Sequence, residues 1–345
     1  MSTSKMSTKK KERGQFYTTH YEYILDGLDK PRGKVIEPFA GKGDLLKWIG
    51  SEEKVEAYDI EPKAQGIVQR DTLRDPPCYK GSWIVTNPPY LARNKCHEKE
   101  LFDRYQTNDL YKCFILSALE CEGGVFIIPA SFFLSPRDLD VRCRNEFMKR
   151  YYITTIKYFE EAVFDDTSTT VVAFSFEKSE VELFSQRIEW TFMPSGEKKT
   201  FFMSRENDWI VSGDIYKLST PDGVKIRRHA EGQALRAEEQ QTFMTLNALD
   251  SGSASGRIKL EYKKDYVYPA KECSRTYATL RISGRRLIEL EQQELCKAFN
   301  LFLEKKREET KSLFLPQYRE SKEYARKRIP FELAYTIVLH LLQGI

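Results

Sequence analysis

Apolar residues in the first half of the chain fall into short runs separated by polar stretches, and the runs read as strands and helices in turn. Residues 21–28 predict a short helix that ends before Gly33. Residues 34–36 predict a buried strand opening into a loop with two glycines, and residues 44–50 predict the helix after it. Further strands are predicted at 55–58, ended by Asp59 and Pro62, at 67–69, leading to Asp71, and at 83–86, leading to Asn87. An amphipathic helix (110–120), a strand (125–128), a helix (139–149) and two strands (155–158 and 170–176) follow. Strands alternating with helices, with polar residues at successive strand ends, predict an open α/β sheet. Such sheets bind their ligands outside the carboxyl ends of the strands.

Past residue 180 the pattern changes. Short alternating stretches (187–192, 200–203 and 258–262) and a Gly/Ser loop (251–256) precede two charged helical segments, 287–311 and 320–342. Three parts are therefore expected: a basic flexible tail over 1–13, an α/β domain over 14–180, and a separate α+β region over 181–345. Residues 312–319 are expected to anchor the last helix.

Composition narrows the class. The chain has 345 residues, 41% of them apolar, with a mean hydropathy of −0.55, so a soluble protein with a real core is expected. No run approaches the ~20 apolar residues of a membrane span. The first residues, MSTSKMSTKKKERG, lack the apolar centre of a secretion signal, which predicts a cytoplasmic or nucleoid-associated protein. Seven scattered cysteines without a C-x-x-C pair predict reduced thiols. Cys96-His97, Cys78 and Cys113 fit no common metal site, and no metal is expected. Of 55 basic and 51 acidic residues, 28 and 23 lie in 181–345, a net of +5, which leaves the first 180 residues at −1. The excess leans toward an anionic partner held by the second half, although a mixed solvated surface explains it almost as well. In the tail, Lys9, Lys10 and Lys11 are either phosphate contacts or a solvated run.

Four segments carry candidate chemistry. In Glu37-Pro38-Phe39-Ala40-Gly41-Lys42-Gly43-Asp44 a strand turns into a helix, and the glycines let backbone approach a ligand. A plain strand–helix connector has the same look. Asp59, 22 positions after Glu37 and followed by Ile60, suits the hydroxyls of a ribose or the cap of a helix. Asp71, followed by Thr72, could accept from an adenine amino group or close a turn. Asn87-Pro88-Pro89-Tyr90, after the apolar run 83–86, has no good bland explanation. An adenine amino nitrogen is a weak nucleophile because its lone pair is delocalised into the ring. Accepting both of its hydrogens, on the Asn87 side-chain oxygen and the Pro88 carbonyl, pushes that nitrogen toward sp3 character. The prolines stiffen the loop, and Tyr90 offers a face on which an extruded base can stack.

Together these segments resemble the γ class of DNA adenine-N6 methyltransferases of type II restriction–modification systems. In that family a cofactor motif comes first, and Gly14-Gln15-Phe16-Tyr17-Thr18 is similar to it; the Glu37–Gly43 loop, Asp59, Asp71 and Asn87–Tyr90 then follow in the family's order. Gly123-Gly124-Val125-Phe126-Ile127-Ile128-Pro129 resembles the strand beside the catalytic loop. Phe164, in Glu161-Ala162-Val163-Phe164, resembles the aromatic that faces the flipped base opposite Tyr90. The resemblance covers residues 14–178. It implies a class I S-adenosylmethionine-dependent methyltransferase fold, a Rossmann-like open sheet, with a C-terminal α+β target-recognition region. It further implies S-adenosylmethionine held by Tyr17, Thr18, Glu37, Pro38, Phe39, Ala40, Gly41, Gly43, Asp59, Ile60, Asp71, Thr72 and Asn87. Catalysis would fall to Asn87, Pro88 and Tyr90. The implied partners are double-stranded DNA, methylated by a monomer, and a cognate restriction endonuclease without an implied complex. Lys42 is bulkier than the family's glycine loop leads one to expect.

For DNA contact the second half offers Arg227, Arg228, Lys263, Lys264, Arg285, Arg286, Lys305–Arg307, Arg326 and Arg328, any of which could equally lie on a solvated face. Pro221-Asp222 with Glu261-Tyr262-Lys263 superficially resembles a nuclease core, but such short patterns arise by chance. Asn-Pro-Pro-Tyr also occurs in enzymes that methylate glutamine amides or ribosomal RNA adenines. Glutamine methyltransferases usually place a helical domain ahead of the glycine loop, whereas 34 residues precede Val35 here. Cytosine-N4 enzymes usually have Ser at the position of Asn87. A non-catalytic nucleic-acid-binding protein would not need Asn87, Asp59 and Asp71 together.

Overall fold

The computed structural model describes residues 14, 16–50, 54–164, 169–250, 257–315, 317–318 and 326–345. The tail 1–13, Gln15, the Gly/Ser loop 251–256, and Pro316 and Arg319 of the anchor segment lie outside the described residues. The chain forms two units, one up to Ile210 and one from Val211 onward.

The first unit is a mixed α/β structure built on one large sheet. Its strands are β1 (Val35–Glu37), β2 (Val55–Asp59), β3 (Val68–Gln69), β4 (Trp83–Thr86), β5 (Gly123–Pro129), β6 (Tyr151–Phe159), β7 (Val171–Lys178), β8 (Ser185–Met193) and β9 (Glu197–Ser204). They lie in the order β3-β2-β1-β4-β5-β7-β6-β8-β9. The strands from β3 to β5 run parallel, and β7 is antiparallel to both of its neighbours. Buried parallel strands read as continuous apolar runs, and Val35, Ile36, Ile84, Val85 and 125–128 are buried accordingly. α1 (Tyr21–Leu25) precedes β1, and between the strands run α2 (Asp44–Ile49), α3 (Glu100–Tyr105), α4 (Leu110–Ser117), α5 (Ser131–Leu134) and α6 (Asp138–Met148). Successive strands go to one side of β1 as far as β3 and then cross to β4 on its other side. That reversal opens a crevice at the carboxyl ends of β1 and β4, where Glu37 and Asn87 lie. β4 and β5 pair through Trp83–Gly123 and Ile84–Gly124. A Cβ on Gly124 would fall 2.0 Å from the Ile84 carbonyl oxygen, so glycine is what lets the two strands close there.

The expected boundary at 180 is displaced to Ile210. Ile188, Trp190 and Phe192 alternate along β8 and are buried, and Trp190 meets the rings of Phe133 and Tyr158. β8 pairs with β6 and β9 with β8, so the stretch that reads as the start of a new region completes the first sheet.

The second unit holds a four-stranded antiparallel sheet in the order β10-β13-β11-β12, from β10 (Lys225–Arg228), β11 (Glu239–Asn247), β12 (Lys259–Tyr262) and β13 (Tyr277–Ser283). α7 (Glu289–Thr310) and α8 (Phe331–Leu341) share its core, which includes Met244, Leu246, Leu280, Phe299 and Val338. Phe314 and Leu315 of the anchor segment are buried in that core. The helix expected over 320–342 begins only at Phe331. Pro330 caps it, and a proline keeps the residue before it extended. Ahead of it β14 (Gln317–Tyr318) pairs with β15 (Arg326–Lys327). Among the described residues no helix is long and apolar enough to cross a membrane.

Candidate active site

A cleft of about 690 Å³ opens at the carboxyl ends of β1 to β4. Ten of the residues expected to hold a cofactor line it: Tyr17, Thr18, Phe39, Ala40, Gly41, Asp59, Ile60, Asp71, Thr72 and Asn87. Gly41 has a φ of +51° and its amide donates to Asp59 Oδ2 (2.8 Å); a Cβ there would meet the Tyr17 ring at 3.0 Å. A side chain at this turn would be strained, which favours glycine. Asp59 Oδ1 accepts from the Glu61 amide (2.8 Å), so the carboxylate is rigidly aimed and keeps lone pairs for a ligand. Ile60 is 40% exposed at the rim, an apolar surface suited to a flat ring. Thr72 ties the two loops together by donating to the Pro38 carbonyl (2.9 Å). A turn closed to side chains, an aimed carboxylate and an apolar rim in a cleft of this size fit a nucleoside cofactor. Lys42 is exposed and also lines the cleft, its ammonium 5.0 Å from the centre of the Tyr17 ring.

Three residues expected to touch the cofactor do not line the cleft. Pro38 lends its carbonyl to Thr72, and Gly43, with a φ of +81°, caps α2. Glu37 is fully buried, with Oε1 accepting from the Phe39 amide (2.9 Å) and the Thr86 hydroxyl (2.6 Å) and with Oε2 unpartnered. Burial pushes its carboxyl up to about 8 against the lowering effect of those two bonds. Glu37 thus braces the loop and the residue next to Asn87. Asp71 has a divided role: its Oδ1 accepts from the amides of Leu73 and Arg74, which closes a turn, while the residue still lines the cleft.

Asn87 is held by the amino-terminal segment. Its Nδ2 donates to the Phe16 carbonyl (2.9 Å) and to Thr18 Oγ1 (3.0 Å), while the Tyr90 amide donates to the Gly14 carbonyl (2.8 Å). Gly14 (φ +66°) passes so close that a Cβ would lie 2.5 Å from the Tyr90 carbonyl oxygen. Beyond the tetrapeptide, Asp109 accepts from the Leu91 amide (3.1 Å), and burial pushes its carboxyl up to about 6.

Of the remaining expected site residues, Pro88, Tyr90 and Phe164 stand outside the cleft lining. Tyr90 is 8% exposed and Phe164 5%, and neither presents an open face. The Tyr90 hydroxyl reaches Asn87 Oδ1 and the Ile127 carbonyl (2.7 Å). Its ring lies against Phe16 and edge-on to Tyr111. Burial holds its phenol well above the usual range, so it stays a neutral donor.

In the second unit most basic candidates already have partners. Arg227 grips Glu239; Arg228 donates to the carbonyls of Glu272 and Ser274. Lys263 pairs with Glu261 (3.5 Å), Lys264 with Glu289 (3.5 Å) and Arg285 with Glu291 (2.8 Å). In α7, Lys305 and Lys306 pair with Glu309, and Arg307 with Glu304. Arg326 enters β15 through its backbone, and Arg328 bridges to Leu249. Arg286 is exposed and makes no ion pair among the described residues. Asp222 precedes β10 and Glu261 sits on β12, at opposite edges of the sheet, so the nuclease-like pattern is not assembled.

Several lining residues escaped sequence reasoning, notably Phe16, Arg74 and the loop carrying Cys96, His97 and Glu98. Arg74 pairs with Asp71 (3.5 Å) and with Glu98, joining two rims of the cleft. No motif marks it. Phe16 lies inside a recognised motif and could have been found there.

Residues 82–164 match the family model described as Eco57I restriction-modification methylase. No curated protein matches the chain in sequence. Among solved structures the chain is similar to the type I restriction enzyme EcoKI M protein (14% identity, 55% of this chain and 51% of that one, TM-score 0.40). It is also similar to the methyltransferase subunit of a type I restriction-modification system from Streptococcus thermophilus (13%, 52% and 48%, TM-score 0.38). A third likeness is to the type IIG restriction endonuclease BpuSI (12%, 69% and 37%, TM-score 0.39). The chain spans about half the length, or less, of these structures.

Proposed function

We propose that this chain is a site-specific DNA methyltransferase that moves a methyl group from S-adenosylmethionine to N6 of an adenine turned out of the duplex. The observation that carries the proposal is the grip on Asn87. Both of its amide hydrogens are committed, to the Phe16 carbonyl and Thr18 Oγ1, so it can offer a substrate only its oxygen. A carboxamide locked as an acceptor, on the wall of a cleft that also presents Asp59 and Asp71, suits a substrate that donates from nitrogen. The Pro88 carbonyl accepts no hydrogen bond among the described residues and serves as the second acceptor. Together they take the two N6 hydrogens, draw the nitrogen toward sp3 geometry and stabilise the charge that develops on it.

S-adenosylmethionine bound in the cleft would supply the activated methyl group. Asp59 would hold its ribose hydroxyls and Asp71 its adenine amine. Phe39 and Ile60 would cover the base, and Tyr17, Thr18, Ala40, Gly41 and Thr72 would complete the walls. Tyr90 and Phe164 would stack on the target base. The second unit would serve target recognition, with Arg286 the least encumbered of its basic candidates. The family match over 82–164 supports a restriction–modification setting. A cognate endonuclease as functional partner, a monomeric enzyme and a cytoplasmic or nucleoid location complete the proposal.

The test is transfer of labelled methyl groups to duplex DNA. We expect it to fall by roughly 100-fold or more in Asn87→Ala, the scale of losing one preorganised group, while cofactor affinity largely survives. Transfer to RNA or protein with none to DNA, or undiminished transfer by the variant, would contradict the proposal.

A further inference from the structure

In the methyltransferase reading, on which this inference rests, an extruded base stacks between Tyr90 and Phe164. That place already holds a ring of the protein's own. Phe16 lies 5.4 Å from Tyr90 (centroid to centroid, planes inclined by 34°) and 6.4 Å from Phe164 (33°). No ring contact joins Tyr90 directly to Phe164 among the described residues. The acceptor that a substrate amine needs is engaged as well, because the Tyr90 hydroxyl lies within hydrogen-bond reach of Asn87 Oδ1 and can occupy one of its two lone pairs.

Both contacts can be given up locally. A phenol has one proton, and the Ile127 carbonyl at 2.7 Å receives it whenever Asn87 Oδ1 turns to another donor. The Phe16 carbonyl is pinned by Asn87 and the Gly14 carbonyl by the Tyr90 amide, so the backbone stays in place. Only the Phe16 side chain need swing, and it is half-buried and already borders the cleft.

We propose that Phe16 plugs the base slot: it stands in for the target base in the closed site, and an adenine enters by displacing its ring and taking Asn87 Oδ1 from Tyr90. The plug sharpens selection. A base that stacks but carries no amino hydrogen can push Phe16 aside, yet it cannot replace the bond it breaks between Tyr90 and Asn87. Phe16 is a positioning residue, acting through the slot and not on the reacting atoms.

The experiment uses the full chain and two duplexes: one carries 2-aminopurine in place of the adenine that the wild type methylates and is read by emission, and the other keeps that adenine and is read by turnover. In Phe16→Ala we expect brighter 2-aminopurine emission and a KM for duplex lower by about tenfold, the equilibrium worth of one lost aromatic pair. Phe16 also lines the cofactor cleft, so KM is read at saturating S-adenosylmethionine for each variant. Phe16→Leu, a milder change should Ala disturb the fold, is expected to fall between wild type and Ala. Dimmer or unchanged emission, or a raised KM with cofactor binding intact, would make Phe16 a wall or a bystander and overturn the plug while leaving the methyltransferase standing. A wild type that methylates no duplex would instead overturn the function and the plug with it.

Discussion

The two units treat polar residues in opposite ways. In the first, parallel strands deliver their carboxyl ends to one side, so Asn87, Asp59 and Asp71, far apart in sequence, reach one cleft. In the second, an antiparallel sheet scatters strand ends, and charged residues mostly neutralise one another. Its most buried cation, Arg281, is 2% exposed and spends its donors on Gln241 Oε1, the carbonyls of Gln233 and Ala234, and His229 Nδ1. His229 is accordingly held below its ordinary pKa, first by burial and then by Arg281 and Arg227, which leaves Nδ1 free to accept. Position in a parallel sheet can therefore be read as a place in one cleft. A pair of arginines in an antiparallel one cannot.

Removing Arg281 strains that contrast most. Arg281→Ala should destabilise the second unit by about 3 kcal/mol, the order of stripping one partner from a buried ionic network. Denaturant unfolding would register the loss, while S-adenosylmethionine affinity stays near wild type. Equal damage to cofactor binding would mean that the two units are not energetically distinct. A smaller effect is expected from Asp59→Ala. It should weaken S-adenosylmethionine binding by roughly 10-fold, in line with losing a charged hydrogen-bond acceptor, and titration calorimetry would measure it. Unchanged affinity would remove Asp59 from the site.

A third effect, set by pH, concerns Glu37. Its carboxyl titrates at about 8 in the fold against an ordinary value of 4.5. Between those values the fold retains a proton that the unfolded chain has released, so stability falls as pH rises through that window and carries no such penalty below it. The loss should be at most about 2–3 kcal/mol between pH 5 and pH 7. Glu37→Gln has no proton to lose, and its melting temperature should vary less over the same range. A pH profile parallel to wild type would show that Glu37 is not the source.

Much of the first unit was legible because short apolar runs ending in polar residues mark parallel strands, and parallel strands fix where their ends go. Glu37 is buried away from the cleft lining because its carboxylate accepts from Thr86, 49 residues away, and sequence gives no sign of the bond between them. Trp190 looked like the start of a new region because an edge hairpin has the same alternating pattern whichever sheet it joins. Arg227 looked available because nothing in an Arg-Arg pair announces Glu239, twelve residues on across a sheet. Lining by Arg74 and His97 comes from loop geometry, which no residue type encodes.

The central claim is most directly tested by asking which base receives the methyl group. Duplex DNA incubated with the full chain and methyl-labelled S-adenosylmethionine, then digested to nucleosides, should carry its label in N6-methyldeoxyadenosine, and Asn87→Ala should leave that fraction empty. Label in N4-methyldeoxycytidine, or in RNA or protein with none in DNA, would contradict the account.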